Sequence, residues 1–252
     1  MLQTLAARWS GGAPLGPTLR WAVGVVSTYG AGLPLAAWCM KRVPAVPGSR
    51  SRPALRRGEL AEYAAALLGL MYGANLMTLT VQAALGGTGG GETGLSTYPA
   101  ALVVIQTVIL APLAEETLFR GLMLRRLLPF GERPAVALSA LCFALAHGSV
   151  DQVLYALAGG AVLGYAAVRT GRLWPCVLLH ALANAAALVL GQLGSGTELA
   201  VVLALLLLGC AAAVHLWRSH PLAASGGWPA DFWRQGGMPL ALLYALVRMA
   251  LG

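Results

Sequence analysis

Charge is scarce in this chain. Asp, Glu, Lys and Arg make up 10% of 252 residues, and 58% are apolar, whereas a soluble globular domain carries about 25% charged residues. Acidic groups are the scarcest, with nine Asp and Glu in all. Only Asp151 and Asp231 are aspartates, and both fall outside the apolar runs. That excludes chemistry built on two intramembrane aspartates. The four cysteines, Cys39, Cys142, Cys176 and Cys210, lie in or beside apolar runs without CxxC spacing. This speaks against a disulfide framework or a cysteine zinc site, and plain buried thiols are expected. The metalloprotease pattern HExxH is absent, and Ser195 sits in a loop with no partner histidine at useful spacing. No internal repeat appears, which speaks against a carrier made of two matching halves. A cleavable signal pattern is also missing, so the first apolar run is expected to stay in the fold.

Long apolar runs are what the chain has in their place. They cover approximately 18–40, 60–86, 98–124, 134–149, 152–168, 173–192 and 197–217, and several reach the roughly 18–20 residues needed to cross a bilayer. The fold class expected is all-α, a polytopic transmembrane bundle of about seven spans over residues 18–217. The net charge of +8 raises the possibility of a nucleic-acid partner, but its distribution argues against one. Lys41, Arg42, Arg50, Arg52, Arg56 and Arg57 follow the first run, Arg125, Arg126 and Arg133 the third, Arg169 and Arg172 the fifth, and Arg218 the seventh. The loops Gly86–Thr97, Gly148–Gln152 and Gly191–Glu198 have no Lys or Arg. This alternation follows the positive-inside pattern and sets the N-terminus outside and the C-terminus in the cytoplasm, with Arg8 and Arg20 weighing mildly the other way. Residues 1–17 are expected to lie on the surface. Residues 218–252 form a cytoplasmic tail whose apolar stretch Met238–Leu251 is too short to span and suits an interfacial helix.

A charged side chain at the bilayer centre costs roughly 2.5–3.5 kcal/mol on insertion scales, and the third run contains three. Within Ala111-Pro112-Leu113-Ala114-Glu115-Glu116-Thr117-Leu118-Phe119-Arg120, Glu116 and Arg120 are four apart and share a helix face, so they can pair. Glu115 is turned about 100° away and is left for another task. His147 closes Phe143-Ala144-Leu145-Ala146-His147, and His180 opens His180-Ala181-Leu182-Ala183-Asn184. His180 and Asn184 again share a face, as two donors aimed at an anion would. Any one of these residues alone could be structural glue between helices. Glu115, Glu116, Arg120, His147, His180 and Asn184 together are nearly all the strongly polar groups of three runs, which points to a shared site. Counting along the runs sets Glu115 and His147 roughly 10 Å apart in depth at 1.5 Å per residue. His215 and His220 flank Arg218 and read as interfacial.

The series Glu-Glu-x-x-x-Arg, Phe-x-x-x-His and His-x-x-x-Asn, carried on separate runs, resembles the CPBP (CAAX protease and bacteriocin-processing, Abi) family over roughly residues 98–192. The first, second and seventh runs carry no matching motif. The resemblance implies an intramembrane endopeptidase. Glu115 would be the general base for a water, with His147 positioning that water. His180 and Asn184 would stabilise the oxyanion, and Glu116 and Arg120 would orient the site.

Cofactor expectations follow from the same residues. Two glutamates and two histidines could hold zinc, but a His with an Asn four residues on is a poor zinc pair, so catalysis without a cofactor is favoured. The partners expected are the lipid bilayer and a membrane-associated protein or peptide: a prenylated CAAX-type tail, a bacteriocin leader or a C-terminal sorting tail. The Ala-, Gly- and Arg-rich, Lys-poor usage suggests a bacterial cytoplasmic (inner) membrane and a peptide tail or membrane-anchored substrate. A proton-coupled carrier and a non-catalytic scaffold or immunity protein are the alternatives from other classes.

Overall fold

The computed structural model describes residues 16–41, 55–86 and 97–223. Most of the N-terminal segment expected on the surface lies outside the described residues, as does the tail beyond residue 223 with its expected interfacial helix. Among the described residues the chain is helical and has no strand. Seven helices follow the apolar runs: α1 Pro17–Met40, α2 Arg57–Ala84, α3 Ala100–Phe130, α4 Glu132–Ala146, α5 Val150–Thr170, α6 Trp174–Leu190 and α7 Ser195–Ser219. Five of them, α1, α2, α3, α5 and α7, are long and apolar enough to cross a membrane. The other two are short, 15 residues in α4 and 17 in α6. At 1.5 Å per residue they reach about 22 Å and 26 Å, less than the roughly 30 Å of hydrocarbon. His147 closes the first of these short helices, and the second carries His180 and Asn184.

Small residues set the packing, as expected where lipid is as apolar as leucine and close approach of backbones must do the joining. The Gly69 and Gly209 backbones of α2 and α7 nearly touch: a Cβ on Gly69 would fall 2.6 Å from the Gly209 Cα. Helix α5 lies against both α2 and α4, and Tyr63, Leu67, Leu163 and Leu179 fill the space between α2, α5 and α6. Large apolar side chains such as Leu207, Leu208 and Trp38 remain exposed, which is ordinary on a surface that faces lipid.

The basic ends of the helices meet one another. Arg126 Nε at the end of α3 donates to the Met40 carbonyl at the end of α1, 2.9 Å. Arg133 Nε at the start of α4 donates to Leu222 O beyond α7, 3.2 Å. The Tyr165 hydroxyl of α5 lies 2.8 Å from the Leu216 and His220 carbonyls and donates to one at a time. His215 and His220 stand 3.9 Å from Glu62 and Glu59. At the opposite end Gln82 of α2 donates to Asp151 of α5. All four cysteines are free thiols, but only Cys176 is buried; Cys39 and Cys210 are exposed and Cys142 is half-buried. The expectation of uniformly buried thiols therefore holds only for Cys176, because α1 and α7 turn cysteines outward.

Candidate active site

Helix α3 is irregular where the site is built. Two π-helical stretches, Ile105–Leu110 and Thr117–Leu124, flank the α-helical Ala111–Glu116. Pro112, which has no N–H to give the preceding turn, lies just after the first. Widened turns of this kind are frequent at functional sites because they re-aim side chains.

Glu116 is at the centre. It is 0% exposed and Arg120 is 2% exposed. Arg120 Nη1 donates to Glu116 Oε1 at 2.8 Å, so the i,i+4 pair expected from spacing is formed. Two neighbours lock the guanidinium: Nη2 donates to the Gly160 carbonyl at 3.0 Å, and Cζ stands 4.5 Å above the Phe143 ring, a favourable cation–π position. Gly160 is tightly packed there. A Cβ on it would lie 3.0 Å from Ala140 Cα and 3.2 Å from Phe143 Cδ1, so an added methyl makes these neighbours on α4 give by a few tenths of an ångström. Gly160 was not legible as part of the site, although the cluster Gly159, Gly160 and Gly164 signals close helix contact, and Phe143 was legible only as the start of the Phe-x-x-x-His motif.

The same carboxylate oxygen holds His180, whose Nδ1 lies 2.9 Å from Glu116 Oε1. With Nδ1 directed at the carboxylate, Nε2 is turned toward Glu115, 3.9 Å from its Oε2. Phe143 packs edge-on against the His180 ring, with centroids 5.7 Å apart. Phe143 also packs against Phe119 at 5.2 Å and His147 at 4.8 Å. One aromatic ring thus touches both histidines and the arginine.

His147 sits where α4 ends. Gly148, at φ 61, takes the left-handed conformation that closes helices. The His147 backbone N–H bonds Ala144 O in a tightened last turn, which frees the Phe143 carbonyl. The imidazole takes that place, with Nδ1 2.8 Å from Phe143 O. A carbonyl only accepts, so Nδ1 carries the hydrogen and Nε2 of the neutral ring is a lone pair.

The depth mismatch expected between Glu115 and His147 is absent. Both line one cavity of about 240 Å³, with Ala114, Leu118, Phe119 and Ala146, and with Thr28, Tyr29 and Leu33 of α1. The reason is the turn at Gly131, where φ is 112. Glu115 lies sixteen residues before Gly131 and His147 sixteen after, so a tight antiparallel hairpin brings them to the same level.

Asn184 is placed differently from the other five. Its Nδ2 donates to the Thr107 carbonyl at 2.7 Å, in the first π stretch of α3. It lines a second cavity of about 210 Å³ with Tyr72, Asn75, Tyr155 and apolar residues of α2 and α6. Tyr155 is close to both cavities, since its ring lies 6.4 Å from that of His147. One amide hydrogen of Asn184 is therefore spent on the backbone and one remains.

Among the described residues no three His, Cys, Asp or Glu side chains converge as ligands. The most buried carboxylate gives the same oxygen to a guanidinium and an imidazole, which leaves a cation beside the place a metal would take.

Residues 97–186 match the family model described as Rce1-like, Type II CAAX prenyl endopeptidase Rce1-like. No curated protein and no solved structure matches the chain. The matched segment runs from the start of α3 into α6 and contains Glu115, Glu116, Arg120, His147, His180 and Asn184. It coincides with the stretch whose three motifs resemble the CAAX proteases, and over it the chain is similar to that family.

Proposed function

We propose that the protein is an intramembrane endopeptidase that hydrolyses a peptide bond near the membrane in a membrane-associated protein or peptide, without a metal. The observation that carries this reading is the shared cavity of Glu115 and His147. It combines a carboxylate free of the Arg120 pair with an imidazole whose Nε2 lone pair is fixed by the Phe143 carbonyl.

In the proposed reaction a water sits between Glu115 and His147 Nε2. Glu115 takes its proton as the oxygen bonds to the carbonyl carbon of the scissile peptide. The carbonyl π electrons move to oxygen, giving a tetrahedral oxyanion. As the C–N bond breaks, Glu115 returns the proton to the leaving nitrogen and a carboxyl group remains on the other fragment. His180, oriented by Glu116, and the remaining amide hydrogen of Asn184 are the donors proposed for the oxyanion, His180 acting in its doubly protonated form. Glu116 and Arg120 are positioning residues. We further propose seven passes, with the N-terminus outside and the basic helix ends in the cytoplasm of a bacterial inner membrane.

Purified Glu115→Gln is expected to lose about 10²–10⁴ in rate, the usual contribution of a general base, with unchanged thermal stability. Unchanged turnover in that variant would remove the mechanism. Chelators are expected to leave cleavage intact; inactivation that added zinc reverses would replace the metal-free reading with a zinc-dependent one.

A further inference from the structure

The cavity at Glu115 has a wall that comes from outside the matched segment. Thr28, Tyr29 and Leu33 of α1 face Glu115 and His147 across it. Helix α1 otherwise looks like a bystander, since none of its residues is buried. It is irregular where it meets the cavity: Val26–Gly32 is a π-helical stretch. The π stretches of α1 and α3 therefore both border the one cavity, and such stretches gather at functional sites.

Tyr29 is the half-buried hydroxyl on this wall, whereas Thr28 is exposed. Among the described residues the Tyr29 hydroxyl makes no hydrogen bond, and it shares the cavity lining with Glu115. A phenol bordering an apolar cavity usually finds a partner. The oxyanion, for its part, is short of donors on this side. His147 offers a lone pair there, not a hydrogen, because its Nδ1–H is spent on Phe143 O. Asn184 has given one hydrogen to Thr107 O and lines the other cavity. The hydroxyl of Tyr29 needs no protonation change to donate.

We propose that Tyr29 is a further catalytic residue: its hydroxyl donates a hydrogen bond to the carbonyl oxygen of the scissile peptide as that oxygen becomes negative. The site is then completed by α1, and the substrate backbone passes between α1 and the α3–α4 hairpin. This rests on the protease reading above and adds a donor to it.

The test uses the full chain purified in detergent, with a fluorophore–quencher peptide ending in a farnesylated CAAX tail as the probe. Tyr29→Phe keeps the ring and removes only the oxygen. It is expected to lower kcat about 10²-fold, the effect of losing one oxyanion donor, with KM within about two-fold and unchanged thermal stability. Affinity for a phosphinate analogue of the same peptide, which mimics the tetrahedral state, should fall by a similar factor, because a donor of this kind acts in the transition state. Leu35→Ala, exposed on α1 and outside the cavity lining, should retain turnover. Wild-type kcat in Tyr29→Phe overturns the proposal, as does a loss confined to KM or an equal loss in Leu35→Ala. Cleavage that survives in Glu115→Gln, or no cleavage by the wild type, overturns the protease mechanism itself. The two failures are therefore distinguishable.

Discussion

The two sides of α3 treat charge in opposite ways. Toward α5 and α6, Glu116, Arg120 and His180 are buried and bonded to one another, to the Gly160 carbonyl and to the face of Phe143. Toward α1 and α4, Glu115 keeps 30% of its side chain exposed and borders a cavity with His147. Adjacent glutamates are thus divided between a fixed frame and an open cavity. A carboxylate that is fully engaged holds geometry well and has little freedom to shuttle protons. One that is turned a single residue further round the helix keeps that freedom.

Breaking the frame should have the largest effect on folding. Arg120→Ala leaves Glu116 as a buried carboxylate without its cation, and loss of one partner of such a pair costs about 3–5 kcal/mol. Low yield and a large drop in thermal stability are expected, in contrast to Glu115→Gln. Equal stability of the two variants would erase the distinction between the sides.

Asn184→Ala probes the boundary between them. As an oxyanion donor it should cost about 10²–10³ in kcat, roughly 2.7–4 kcal/mol, with little change in KM. If its bond to Thr107 matters more, the loss appears as stability with kcat intact, and Asn184 moves to the frame.

Gly160→Ala should have a smaller effect. The added methyl meets Ala140 and Phe143, and overpacking of this kind costs about 1–3 kcal/mol. Activity should fall with stability, since Phe143 also touches both histidines. The smallest effect is expected for His215→Ala, 65% exposed at the far end of α7. Its cleavage rate and melting temperature should match the wild type within error.

Much of this was legible from spacing. The apolar runs located six of the seven helices to within a few residues, α3 running on to Phe130, six residues past its run, and four-residue separation on one face predicted the Glu116–Arg120 pair. Spacing was less informative for His180 and Asn184. They share a face, yet one full turn separates them along the axis. That is enough for His180 to meet Glu116 while Asn184 meets Thr107, nine residues earlier in α3. The relative level of Glu115 and His147 was misjudged because the helix ends had been set only to within a few residues, and the turn at Gly131 decides the count. Contacts through backbone, such as the Gly160 carbonyl on Arg120, leave no polar letter in the sequence. The number of passes is equally hard to count, because α4 and α6 are shorter than a bilayer is thick.

The hairpin at Gly131 has a consequence for how this chain tolerates change in length. Glu115 and His147 meet because equal numbers of residues run out from the turn and back. One residue inserted between them would advance one side chain by about 1.5 Å and swing it by about 100°, which turns it out of the cavity. An insertion ahead of α2, or between α2 and α3, leaves that interval untouched. Segments joined at those places are therefore free to lengthen or shorten, while the thirty-one residues between Glu115 and His147 act as a ruler of fixed length.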